Sequence, residues 1–162
     1  MEFISLHDTR WHRLAGEDGP VADPEPQAHA LLTLEQWHAV REHWPADLPT
    51  GVVLSNSADV SALAVDLRRL ALLVLQFPKW TDGRAYSQAR LLRGRHRYQG
   101  DLRATGDVLV DMAPLLQRTG FSSAQLRADQ KVDSARRALR FFSGHYQGDQ
   151  VEGQPLFHRQ AA

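Results

Sequence analysis

Along this chain the clearest hydrophobic signal is the run from Leu72 to Phe77, in which Gln76 is the single polar position. Such a run predicts a strand covered on both faces, as in a parallel sheet packed under helices. Pro78 cannot donate to a ladder, so the chain must turn there. Thr81 and Asp82 are residue types that cap the free N–H groups of a following helix, and Gly83 eases the turn. From Arg84 the period changes. Tyr86, Ala89 and Leu92 recur at helical spacing, while Gln88, Arg90, Arg93 and Arg97 supply polar faces.

The same alternation extends in both directions. Val52 to Leu54 is a short apolar run, Ser55-Asn56-Ser57 a turn and Asp59 a cap, after which Leu63, Leu67 and Leu70 mark a helix. Downstream, Leu102 and Ala104 alternate in a strand that ends at Thr105-Gly106-Asp107. A helix follows through Val108, Leu109, Met112, Leu115 and Leu116, interrupted by Pro114 and closed at Gly120. Phe121, Ala124 and Leu126 suggest a weaker strand, and Val132, Ala135, Leu139 and Phe142 its helix. The reading is an α/β fold of about four consecutive βα units with a mainly parallel sheet, either open or half-barrel-like.

Ahead of this core, Phe3, Ile4 and Leu6, an Asp8-Thr9 turn signal, then Trp11 and Leu14 predict a short edge hairpin over residues 2–14. Residues 16–27 are rich in Gly, Pro, Asp and Glu and read as a loop. Thr33 can cap a helix over 33–44, with Leu34, Trp37, Val40 and Arg41 along one side and Pro45 ending it. The organisation is a single domain over 1–150, with hairpin and loop in 1–32, helix 33–44 and βα core 51–146. A flexible tail follows from 148 to 162.

Composition narrows the chemistry. A chain of 162 residues with 43% hydrophobic and 23% charged positions is a globular domain able to bury a core. Nineteen basic residues balance nineteen acidic ones, so no long-range field draws in nucleic acid or an anionic membrane. The absence of cysteine removes disulfides, thiolate nucleophiles and cysteine-ligated clusters. No run reaches the length of a membrane span and the first residues lack a signal-peptide core, so the expected location is cytoplasmic.

In consecutive parallel units every strand-to-helix loop leaves the same edge of the sheet, where α/β proteins usually bind ligands. That edge gathers four loops, Ser55 to Asp59, Lys79 to Arg84, Gly106-Asp107 and Arg127 to Asp129, and so sets Lys79, Thr81, Asp82 and Arg84 beside Asp107. A small anion or phosphate-bearing molecule is the candidate ligand. Capping alone also accounts for the aspartates. It does not account for Arg84, whose charge opposes the dipole at a helix start. Arg90, Arg93 and Arg97, together with Arg95, form either a solvated face or a docking surface for an acidic partner protein or a nucleotide phosphate. The eight histidines show no HExxH or i, i+4 pair, so no metal site is expected. No Gly-rich dinucleotide or triphosphate motif is present, and no cofactor is evident.

The segments FPKWTDGRAYSQARLLR, from Phe77, and LRATGDVLVDM, from Leu102, resemble a bacterial family called domain of unknown function 934. Its members commonly read FPKFTDGRGYSQARLLR, so Trp80 keeps an aromatic and Ala85 a small residue. Val110-Asp111-Met112 keeps only the aspartate of the family's arginine-aspartate-glutamine trio. Members are often labelled probable oxidoreductases of sulfite reduction. The resemblance therefore implies a place in sulfite assimilation beside the sulfite reductase haemoprotein, without supplying a reaction or an oligomeric state. Two functions follow as expectations: an accessory protein that docks onto the reductase or its electron donor, or a small enzyme or anion-binding domain using the sheet-edge residues.

Overall fold

The computed structural model describes residues 1–5, 8, 10–16, 19–21, 23–142, 145–150 and 152–158. Its centre is the strand that the hydrophobic pattern marks most clearly, at Leu70–Phe77. In chain order the strands are β1 (Glu2–Phe3), β2 (His12–Arg13), β3 (Ala15–Gly16), β4 (Gly19–Pro20), β5 (Ala30–Thr33), β6 (Thr50–Leu54), β7 (Leu70–Phe77), β8 (Asp101–Gly106) and β9 (Ser123–Ala124). The helices are α1 (Leu34–Val40), α2 (Arg84–Arg90), α3 (Ala113–Thr119) and α4 (Val132–Ala138). Seven strands form one open, all-parallel sheet in the order β1-β9-β8-β7-β6-β5-β2.

From β5 to β9 each strand is laid beside the one before it, always in the same direction. Right-handed crossovers that never reverse put their helices on one face. Residues alternate accordingly. Leu32, Val52, Leu73 and Leu102 form one row across the sheet and share a core with Trp37, Ala89, Leu92 and Leu116 of the helical layer. Val53, Leu72 and Val74 point to the opposite face, where Trp11 and Leu31 pack on them. Both faces of β7 are thus covered, one by helices and the other by the N-terminal segment, which explains its nearly unbroken apolar run.

Four expectations change. The N-terminal hairpin lies at β3 and β4, inside the stretch read as a loop. Residues 2–14 do not form it: β1 joins β9 at one edge and β2 joins β5 at the other, a pairing local alternation cannot reveal. Thr9, half of the expected turn signal, lies outside the described residues. Second, Ala30–Thr33 is a strand, so α1 belongs to a fifth βα unit. Third, the helix expected through Leu63 and Leu67 is two 3-10 turns, Val60–Leu63 and Leu67–Arg69. Asp66, between them, is buried and accepts from Trp37 Nε1 and Arg41 Nη1, both at 3.1 Å, which ties the segment to α1.

Fourth, Pro114 starts a helix and does not interrupt one. A 3-10 turn at Val110–Met112 precedes α3, and Pro114 sits in its first turn, where a missing N–H costs nothing. Gly120 closes α3 in the left-handed region, as expected. The capping box at Thr33 is present too: Gln36 N donates to Thr33 Oγ1 at 3.1 Å and Thr33 N to Gln36 Oε1 at 2.8 Å. The C-terminal stretch is anchored near its start. Arg118 Nε donates to Asp149 Oδ2 at 2.9 Å and Gln150 N to the Arg118 carbonyl at 3.1 Å, while 159–162 lie outside the described residues.

Candidate functional site

Parallel pairing brings the loops after β6, β7, β8 and β9 to one rim, and hydrogen bonds lace them together in sequence. Asn56 Nδ2 reaches from the first loop to Asp82 Oδ2 at 2.6 Å. Gln88 Nε2 holds that loop from α2, donating to the carbonyls of Ser55 and Ala58, both at 2.9 Å. From the second loop, Trp80 N donates to Asp107 Oδ2 in the third at 2.9 Å. Arg127 Nη1 in the fourth donates to Asp107 Oδ1 at 2.6 Å. Lys79, Thr81, Asp82, Arg84 and Asp107 therefore do share one water-exposed rim.

Local chain geometry makes this possible. Gly106, at φ +97°, turns the chain out of β8 so tightly that an added Cβ would strike the Phe77 carbonyl. That turn lets Asp107 N donate to the same Phe77 carbonyl at 2.8 Å and swings the Asp107 carboxylate under the next loop. Phe77 itself is fully buried, its ring 5.1 Å from Tyr86 and 5.9 Å from Phe121. Ala85 is fully buried as well, which accounts for a small residue at that place in the motif.

Asp82, Asp107 and Asp129 are each matched by an arginine. Arg84 grips Asp82 in a two-pronged pair, Nε to Oδ1 at 3.0 Å and Nη2 to Oδ2 at 2.6 Å. The Arg84 guanidinium, then its backbone N–H, hold the Asp82 carboxyl down to about 2. Asp107 is also held below the usual carboxylate range, first by the Trp80 N–H and then by Arg127. Arg127 forks onto Asp129 at 2.7 and 2.8 Å and pushes that carboxyl down to about 2.

Two role expectations change here. Asp107 is not a helix cap but a clamp between loops, and its two oxygens serve two different segments. Thr81 does not cap α2: Gly83 holds the cap position, and Asp82 Oδ1 takes the Arg84 N–H at 3.2 Å. Arg84, which capping could not explain, is accounted for by Asp82. Lys79 is exposed and makes no ion pair among the described residues, and Trp80 beside it is 56% exposed.

The arginines that follow separate. Arg93 cannot serve as a docking residue, because its guanidinium is spent inside the fold. A π-helical turn at Leu91–Arg95 aims it so that Nε donates to the Gly120 carbonyl at 2.8 Å and Nη1 to the carbonyls of Tyr98 and Gly100 at 2.5 and 3.0 Å. Arg90 and Arg97 remain exposed. A hollow of about 680 Å³ lies at the opposite edge of the sheet beside Leu67, His96 and Arg97. A smaller one of about 360 Å³ adjoins Arg127. Among the described residues no three His, Asp or Glu side chains gather as a metal-ligand set, and no helix is long and apolar enough to cross a membrane.

Sequence reading placed the loops that hold Asn56, Trp80 and Asp129 on this rim but gave those three residues no role of their own. Their signals were weak: an Asn inside a serine turn, an Asp two residues after an Arg, and an aromatic in a polar loop. Comparison with known proteins adds one finding. Residues 51–157 match the family described as bacterial protein of unknown function, domain of unknown function 934, and the chain belongs to it. No curated protein matches the chain.

Proposed function

Starting from membership of that family, we propose that this chain is a cytoplasmic accessory protein of sulfite reduction, docking onto the sulfite reductase haemoprotein or its electron donor. Trp80 is the anchor. The observation that carries this reading is an exposed tryptophan on a loop whose backbone is held from two sides, by Asp107 at its own N–H and by the Asn56–Asp82–Arg84 group two residues on. Tryptophan is enriched among residues that dominate interface energies, and a loop ordered before contact loses little entropy on binding.

The motif residues divide in a way that supports the same reading. Phe77, Asp82, Arg84, Ala85, Tyr86, Gln88, Arg93, Gly106 and Asp107 each have an architectural task, in packing, pairing or a turn. The side chains of Lys79 and Trp80 make no hydrogen bond, ion pair or ring contact among the described residues. An aromatic also stands at this place in the family motif, although packing does not require one there.

The alternative, an anion site or small enzyme using Lys79, Asp82, Arg84 and Asp107, is weaker on electrostatic grounds. Arg84 is neutralised by Asp82, and Arg127 lies between Asp107 and Asp129. One uncompensated cation, Lys79, is left to attract an anion at the 79–84 loop. The test is affinity purification of the tagged chain from its bacterium with assay for the reductase, alongside a deletion strain scored on sulfate, sulfite and sulfide. Co-purification and growth rescued by sulfide alone are the expected results. A strain with no phenotype and no complex contradicts the proposal.

A further inference from the structure

We infer that the end of α4 is a second docking surface, which takes an acidic segment of a partner protein carrying apolar side chains. Just past the helix, Phe141 and Phe142 are 78% and 62% exposed, their rings stacked edge to face at 4.9 Å. Two adjoining phenylalanines so open to water mark an interaction site more often than a solvated surface. Along this segment of the chain the charge is one-sided. Residues 131–142 hold Lys131, Arg136, Arg137 and Arg140 against Asp133, four positive charges to one negative.

Asp133 is paired with Arg136 at 3.2 Å, and the Arg137 guanidinium donates to the Ser134 hydroxyl at 3.1 Å and makes no ion pair among the described residues. Arg140 makes no ion pair among the described residues. In a chain of zero net charge this excess is local, and its complement is an acidic surface.

Two other occupants fit less well. A second copy meeting this patch about a two-fold axis would set the arginines of one chain against the same arginines of the other. An interfacial membrane helix needs its whole apolar face free. In α4 that face is already used: Ala135 is fully buried, and Val132 and Leu139 pack on the core. Outward face the two phenylalanines, Lys131, the arginines and Asp133, a footprint suited to a short acidic segment with one or two apolar anchors.

This surface is independent of Trp80, so the experiment separates them. The full chain, labelled with 15N, is titrated with a peptide alternating Glu with Leu and Phe. Amide shifts confined to residues 136–142 and weakening with salt are expected, because a desolvated apolar anchor ringed by charges gives both signatures. The double variant R137E/R140E, and separately F141S/F142S, are expected to bind at least about tenfold more weakly with unchanged melting temperature. W80A is expected to bind as the unaltered chain does. The inference is overturned by shifts elsewhere or none, by undiminished binding in R137E/R140E, by concentration-dependent dimerisation through Phe141, or by capture on anionic phosphatidylglycerol vesicles in place of the peptide.

Discussion

Two sets of arginine–aspartate pairs sit on the same sheet and carry very different weight. At the rim, Arg127 stands between Asp107 and Asp129 with 43% of its side chain exposed. On the helix-free face, Arg103 is only 7% exposed; Nη2 meets Asp101 Oδ2 at 3.2 Å, Nη1 meets Asp8 Oδ2 at 3.6 Å, and Nε donates to Ser123 Oγ at 3.3 Å. Asp101 is in turn held by the hydroxyls of Ser122 and Ser123. The difference teaches what each group is for. Water screens the rim pairs, so they orient loops rather than hold the fold. The network around Arg103 ties the N-terminal segment through Asp8 to the sheet; its guanidinium is the buried member, while Asp101 and Asp8 each keep part of their carboxylate in water.

The largest effect should come from the buried set. Arg103→Ala removes a buried guanidinium with its bonds to Asp101, Asp8 and Ser123, and a loss of about 2–3 kcal/mol is expected in urea unfolding, on the scale for hydrogen bonds to charged groups. Arg127→Ala, measured alongside, should shift the melting temperature little; equal losses in the two would erase the contrast.

Next in size is Gly106→Ala. At φ +97° an added Cβ is strained and meets the Phe77 carbonyl, so a loss of about 1–3 kcal/mol is expected, with the Trp80 loop displaced. Unchanged stability would show that the tight exit from β8 is not what positions Asp107.

Acid should act on the rim selectively. Asp82 and Asp129 have folded values of about 2, below their unfolded ones, so their clamps contribute above roughly pH 4 and are lost as pH falls towards 2. Asp107 is shifted in the same direction. The Trp80 amide, bonded to Asp107, should therefore titrate below the usual carboxylate range in 15N NMR. A midpoint at the unperturbed value of about 4 would mean the clamp is not formed in solution.

Smallest of all on stability should be Trp80→Ala, since the indole is 56% exposed and nothing in the fold requires it. A melting temperature within about 2 °C of the unaltered chain is expected, as for ordinary surface substitutions. A larger drop would return Trp80 to the architecture.

How much of this was legible in the sequence follows from the range of the forces involved. The strands β6 and β7 were readable because burial on two faces leaves an apolar run, β8 because Leu102 and Ala104 alternate, and α1 because Thr33 caps it and Leu34, Trp37 and Val40 line one side. By contrast, β5 is four residues running straight into α1, with too few apolar positions to separate from it. The strands β1 and β2 are two residues each, and their partners lie at opposite edges.

The rim loop was found, yet roles within it were not, since an aspartate that caps a helix and one that clamps two loops look alike in one dimension. Arg93 gave no sign that it would be spent on three carbonyls. For Arg103 there was a trace: Asp101, Arg103 and Thr105 alternate along β8, marking its second face as polar.

The most direct test of the account is titration calorimetry of the sulfite reductase haemoprotein against the unaltered chain and against W80A. The account predicts a complex with the unaltered chain that weakens at least about tenfold in W80A, at unchanged melting temperature. Equal binding by the two proteins, or none by either, would contradict it.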